Sequence, residues 1–202
     1  MAAGTKGKVG RYFGADGYRG EAGVDLTAER AFRLGRFLGF YYGEIMRRRG
    51  NAAYRPRVAV GKDTRRSGYM LEYAVAAGLA ASGADAYLLH VTSTPSVSFV
   101  TRSDGFDGGI MISASHNPYT DNGIKVMNRA GEKEDGEVLA AAEDYLDGAV
   151  TLFGQDYPEL PAARGEAVGR TVDYVAGRNR YIGYLLSHAT YSLRGVKIGL
   201  DC

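Results

Sequence analysis

The sequence predicts an α/β fold with a mixed, largely parallel sheet covered by helices. Short apolar runs of strand type alternate with longer runs whose apolar residues recur at helical spacing. The resulting strand-helix-strand-helix-strand order requires crossover helices on a sheet, and such crossovers leave neighbouring strands parallel. The polar loops "GKDTRRSG", "VTSTPS" and "SASHNPYTDNG" each follow a strand run. Ligands bind beyond the carboxyl ends of parallel strands, so the topology puts all three loops on one rim.

The glycine-rich stretch "FGADGYRG" reads as a loop, and a helix follows from Thr27 to Arg48. Thr27 suits its start, and Phe32, Leu34, Phe37, Leu38, Tyr41 and Ile45 supply its apolar face. Arg47, Arg48 and Arg49 fit its last turn, where cations meet the negative end of the helix, and Gly50 follows. Val58–Val60 is a short buried-type strand, Tyr69 to Ser82 a helix stopped at Gly83, and Ala86 to Val91 a second strand. Thr94 caps a short helix that Pro95 opens and Arg102 closes. Gly108 to Ser113 and Ile124 to Met127 are further strands, with "DNG" as the tight turn before the second. Glu137 to Leu146 is a helix, "FGQDYPELPAARGEAVGR" a loop or linker, and Val172 to Ser187 a helix.

Val196, Ile198 and Leu200 alternate as in a strand, but no sequence follows to pair with it. The expectation is an N-terminal piece of a longer protein. Residues 1–170 would form one domain, and 171–202 a linking helix with the opening strand of a second.

Composition narrows the function. With 202 residues and 45% apolar content, the chain can bury an ordinary core. A net charge of +2 and one short arginine cluster leave no basic stripe for nucleic acid. No apolar run reaches the ~20 residues of a membrane span. The first residues lack the apolar stretch of a signal peptide, and Cys202 is the only cysteine. A cytoplasmic protein is expected. His90, His116 and His188 are too scattered to suggest a metal centre, and one cysteine argues against zinc.

The serine loop suggests a nucleophile or a phosphate carrier. A serine hydroxyl is weak until a base takes its proton or a cation stabilises what it carries. His116 either contacts the reacting group or braces the loop. Lys62, Arg65 and Arg66 bring cations to the same rim, and guanidinium groups match phosphate oxygens with paired hydrogen bonds. The glycines around Arg19 follow neither the dinucleotide fingerprint nor the Walker pattern, but would let Arg19 and nearby amides approach an anion.

In chain order, these segments resemble the α-D-phosphohexomutase superfamily over nearly the whole chain. "YFGADGYRG" looks like the Y-F-G-T-D-G-I-R-G opening of bacterial phosphoglucosamine mutases, and "GKDTRRSG" like their G-x-D-T-R-x-S-G. "TSTPSV" is similar to their T-P-x-V turn. "GIMISASHNPYTDNGIKVMNRAGEK" is similar to their phosphoserine loop and the strand after it. The last segment is the most specific. The terminal "LDC" is similar to the family's join into its second domain, which continues D-C-A-N-G-A.

The resemblance implies a four-domain enzyme, domains 2–4 being the partners of this chain. It would interconvert glucosamine 6-phosphate and glucosamine 1-phosphate through a hexose 1,6-bisphosphate. Ser115 would carry the phosphate, while Ser113 ends the strand. Arg19, His116 and Lys125 would stand near the transferred group, Lys125 moving a proton or stabilising charge. Asn117 and Arg65 would bind phosphate or substrate, or Arg65 would brace the loop. Mg2+ would bind a phosphoserine oxygen on Ser115 and three aspartates of a D-G-D-x-D-R loop in domain 2, a sequence not present here. Ala15, Tyr18 and Met127-Asn128 depart from the family pattern, which bears on the placing of Arg19. Two alternatives share these residues: a glucose or mannose phosphate mutase of the same superfamily, and a non-catalytic sugar-phosphate-binding module.

Overall fold

The computed structural model describes residues 10–200, so Cys202 and the first nine residues lie outside it. A hairpin of β1 (Phe13–Gly14) and β2 (Gly17–Glu21) leads to α1 (Ala28–Arg48). Then come β3 (Arg57–Lys62), α2 (Ser67–Ala81), β4 (Asp85–Val91) and α3 (Thr94–Ser103). β5 (Gly108–Ile112), β6 (Asp121–Met127) and α4 (Gly136–Leu146) follow. A small hairpin of β7 (Val150–Leu152) and β8 (Gln155–Tyr157) precedes β9 (Thr171–Asp173) and α5 (Val175–Ser187).

The main sheet runs β1-β2-β6-β5-β3-β4-β9. β5, β3, β4 and β9 are parallel, while β6 returns antiparallel beside β5 and β2 antiparallel beside β6. This is the mixed α/β sheet the sequence predicts. One face packs Leu34, Phe37, Leu71, Leu79 and Leu139 of α1, α2 and α4 against Val58, Val60, Ile110 and Ile112. On the other, Val97 and Val100 of α3 cover Ala59, Leu89, Met111 and Met127.

Local chemistry places the helix ends. The Thr27 hydroxyl accepts from Arg30 N at 3.2 Å, Arg47 and Arg48 occupy the last turn of α1, and Gly50 takes φ 88° just beyond it. α1 and α2 sit unusually close. A Cβ on Gly78 would lie 2.0 Å from Phe32 O, and one on Gly35 would lie 2.3 Å from Val75 O. Thus glycines let the two helix backbones touch.

Several sequence expectations need correction. "FGADGYRG" is not a loop: it supplies β1 and β2, because β6 gives Gly17–Glu21 a partner that outweighs the low strand preference of glycine. "DNG" lies inside β6, and the turn falls earlier, where Asp121 N donates to Pro118 O at 3.0 Å. The presumed linker holds β8, and Thr171–Asp173 extends the sheet edge beside β4 before α5 begins. The α3 cap is Ser93, one residue before Thr94. Residues 196–200 form no strand, since none of the described residues pairs with them. Val196, Ile198 and Leu200 are exposed there.

Candidate functional site

Backbone hydrogen bonds join the three rim loops. Asp63 N donates to Ile112 O at 3.0 Å, and Thr92 N donates to Lys62 O at 2.9 Å. The serine loop starts where β5 stops. Ser113 N is held by Gly123 O at 2.8 Å, and the Ser113 hydroxyl accepts from Ser115 N at 3.0 Å. Ala114 is fully buried, which anchors the turn, while Ser115 and His116 stand exposed. Ser115 takes φ 57°, a left-handed conformation that costs a residue with a Cβ about 1–2 kcal/mol. Such a conformation persists only where its surroundings impose it.

Arg65 does much of the imposing. Its Nη2 donates to Ser115 O at 2.9 Å and Asn117 O at 2.8 Å, and its Nη1 donates to Pro118 O and to Asp121 O at 3.0 Å. Its Nε donates to Asp63 Oδ2 at 3.1 Å. A guanidinium has five N–H donors, and here protein oxygens take all five. All five donors of Arg65 thus already have protein acceptors, an arrangement that suits the loop brace more than the expected contact with phosphate or substrate.

Arg19 lies on β2 opposite Gly123. Its Nη1 donates to Asn117 Oδ1 at 3.1 Å, its Nη2 lies 3.4 Å from Asp16 Oδ2, and its buried Nε has no partner. Asn117 passes the link on, its Nδ2 donating to Asp121 Oδ2 at 3.0 Å. Both ends of this amide are engaged, so Asn117 links Arg19 to Asp121. Gly123 must be glycine, because a Cβ would lie 2.7 Å from Ser113 O and 3.1 Å from Arg19 Cγ.

Gly123 and Lys125 alternate along β6, so Lys125 shares the sheet face of Arg19. It lines a cleft of about 390 Å³ with Asp16, Gly17, Thr94, Ser98 and Lys133. Ser115 and His116 do not line that cleft. The structure thus gathers Arg19, Asn117, Arg65 and the Ser115 backbone directly, and places Lys125 next door, with Asp16 shared between Arg19 and the cleft. Among the described residues, the exposed His116 ring makes no hydrogen bond. Sequence reasoning missed Asp63 and Asp16. The Asp63-Thr64-Arg65 spacing carried a usable signal, because an aspartate readily accepts from the backbone two residues on, and Asp63 Oδ1 accepts from Arg65 N at 2.9 Å.

These residues do not fit Mg2+ by themselves. Among the described residues, no three histidine, cysteine, aspartate or glutamate side chains converge to hold a metal. The nearby carboxylates are engaged, Asp16 by Arg19, Asp63 by Arg65 and Asp121 by Asn117. Ser115 offers one oxygen where Mg2+ takes six ligands.

Comparison with known proteins places the chain in a family. A family model described as phosphoglucomutase/phosphomannomutase, alpha/beta/alpha domain I, matches residues 10–149. The chain belongs to this family. A phosphoglucosamine mutase of Lachnoclostridium phytofermentans is 58% identical over 193 residues, covering 96% of this chain and 40% of the relative. One of Lachnospira eligens is 57% identical with the same coverage. Among solved structures, a phosphoglucomutase/phosphomannomutase family protein from Burkholderia thailandensis superposes with a TM-score of 0.63 at 28% identity, covering 88% of this chain and 35% of that one. As a phosphoglucomutase/phosphomannomutase domain I, the chain spans about 40% of the length of the curated relatives it matches. No helix among the described residues is long and apolar enough to cross a membrane.

Proposed function

We propose that this chain is the phosphate-carrying domain of a longer phosphoglucosamine mutase, with Ser115 as the carrier. The observation that carries the proposal is the exposed Ser115 on a left-handed turn that Arg65 clamps from behind. Phosphoryl transfer needs positioning and charge neutralisation more than covalent help, and this rim provides both. In the forward half-reaction, a hydroxyl oxygen of the hexose phosphate attacks the phosphorus on Ser115. The new O–P bond forms as the Ser115 Oγ–P bond breaks. The hydroxyl proton passes to a base, for which Lys125 and His116 are the candidates, and Ser115 Oγ regains a proton. The resulting hexose 1,6-bisphosphate returns its other phosphate to Ser115 by the reverse steps.

Glucosamine phosphates are the proposed substrates because relatives 58% and 57% identical to this chain over 193 residues are named phosphoglucosamine mutases. The division expected at residue 170, domains 2–4 as partners and a cytoplasmic setting belong to the same reading. So does Mg2+, whose remaining ligands would come from outside this chain. The isolated 202-residue chain is expected to show no appreciable turnover.

The test is the mass of the full-length protein after incubation with a hexose 1,6-bisphosphate. One added phosphate that maps to Ser115 and vanishes in Ser115→Ala supports the reading. A folded protein with no adduct points instead to a binding module. Faster turnover of glucose or mannose phosphates than of glucosamine phosphates would reassign the substrate and leave the mechanism standing.

A further inference from the structure

The side chain that controls where Ser115 stands has no free donor for its hydroxyl. We infer that Arg65 is a positioning residue for phosphoryl transfer: it locks the turn around Ser115 and polarises the turn's peptide groups toward an anion it never touches. This inference rests on the phosphoserine reading above.

The acceptors explain how. The carbonyls of Ser115, Asn117, Pro118 and Asp121 all turn onto one guanidinium, so the turn is gripped at four points within seven residues. The grip is itself anchored. Asp63 accepts from Arg65 N at 2.9 Å and Arg65 Nε at 3.1 Å, and Asp63 N is tied to the last residue of β5, Ile112 O, at 3.0 Å. The circuit therefore closes from the end of β5 through Asp63 and Arg65 back to the loop that follows β5. Ser115 cannot relax out of φ 57° without breaking hydrogen bonds to a charged group.

The polarising role follows from peptide geometry. In a trans peptide the N–H points opposite to the C=O. With the Ser115 and Pro118 carbonyls turned onto Arg65, the N–H groups of His116 and Tyr119 point away from it. Among the described residues, neither N–H has a backbone acceptor. They are two separate donors, since Asn117 N between them donates to Ala114 O at 3.1 Å and Pro118 has no N–H, and each is left to meet an anion in front of the turn. The positive charge of Arg65 aligns these dipoles from behind and stays with the loop when the phosphate leaves. A cation bound directly to the phosphate would have to release it in each half-reaction.

The experiment compares full-length wild type, Arg65→Lys and Arg65→Ala. Lysine keeps the charge but cannot fork to four carbonyls, so it decides the matter if the alanine variant does not fold. Hydrogen exchange across 113–122 in the unphosphorylated protein is expected to accelerate at least about tenfold in either variant, equivalent to losing one hydrogen bond to a charged group. The kcat for hexose phosphate should fall about 100-fold, the scale set by small misplacements of a reacting group, with KM unchanged. Added guanidinium should restore part of the Arg65→Ala rate. Unchanged exchange overturns the clamp. A raised KM with kcat intact overturns the positioning role and makes Arg65 a substrate contact. If wild type itself shows no turnover, the mutase reading and this role fall together, while the exchange comparison still decides the clamp.

Discussion

Arg19 Nη1 donates to Asn117 Oδ1 at 3.1 Å, tying β2 to a loop 98 residues further along the chain. The same amide donates to Asp121 Oδ2 at 3.0 Å. In Asn117→Asp, that second contact would place two carboxylates within hydrogen-bond distance. Urea unfolding at pH 7 should show a loss of about 1–3 kcal/mol. The loss should shrink in acid, where one carboxyl of the pair can hold a proton and donate it. A pH-independent loss would contradict the pairing.

Replacing Ser115 tests the backbone separately from the hydroxyl. Glycine adopts φ 57° without steric cost, whereas alanine keeps the penalty. Ser115→Gly should therefore be about 0.5–1 kcal/mol more stable than Ser115→Ala, after allowing for the looser unfolded chain of glycine. Both should lose the phosphate adduct. Equal melting temperatures would mean the conformation carries no strain.

Lys62 and Glu72 form a buried ion pair, with Lys62 Nζ 3.0 Å from Glu72 Oε2 and 4.1 Å from the Tyr69 ring centre. Both side chains are at most 1% exposed, and neither Glu72 oxygen accepts a well-aligned hydrogen bond, so charge rather than hydrogen-bond geometry holds the pair. Removing one partner strands the other, so Lys62→Met alone should cost about 3–5 kcal/mol. The Lys62→Met/Glu72→Leu double variant should recover most of that in chemical denaturation. A double variant as unstable as the single would count against the pair as the cause.

Helix contact through Gly78 leaves no room for a methyl group. A Cβ there would meet the Phe32 carbonyl at 2.0 Å, which is backbone and cannot swing aside. Gly78→Ala should destabilise by about 1–3 kcal/mol or more, despite the better helix preference of alanine. A neutral or stabilising result in thermal unfolding would show that α1 and α2 can separate at little cost.

Alkaline pH should expose two tyrosines. Burial, then the hydrogen bond to Glu159, raises the Tyr145 phenol to about 12. Burial, then Glu134, raises Tyr42 well above its usual value. A phenol with a folded-state value above the unfolded one stabilises the fold fully below about 10, the ordinary tyrosine value. For Tyr145 that stability is lost as pH rises from there toward about 12. Tyr145→Phe should flatten this fall, followed by unfolding at a series of alkaline pH values with phenolate absorbance as the second readout. An unchanged slope would separate Tyr145 from alkaline unfolding.

Much of this protein is legible along the chain. The helices from Thr27 and after Gly136, the buried strands at Val58 and Ile110, and the stop at Gly83 follow from spacing, capping and turn chemistry within a few residues. Strand order also puts the three polar loops on one rim, and Asp63 N on Ile112 O bears that out. Such features depend on neighbours close in sequence, so local composition alone determines them.

Tertiary structure decided the rest. "FGADGYRG" becomes a strand only because β6 lies beside it, and the register of Arg19 against Gly123 then points Arg19 at Asn117. Arg65 lies about 50 residues from the carbonyls it holds, and only the pairing of β3 with β5 brings them together. Sequence types alone leave an arginine near the serine loop free to bind an anion or the loop. Its five donors find their acceptors only through the fold, which brings all five within reach.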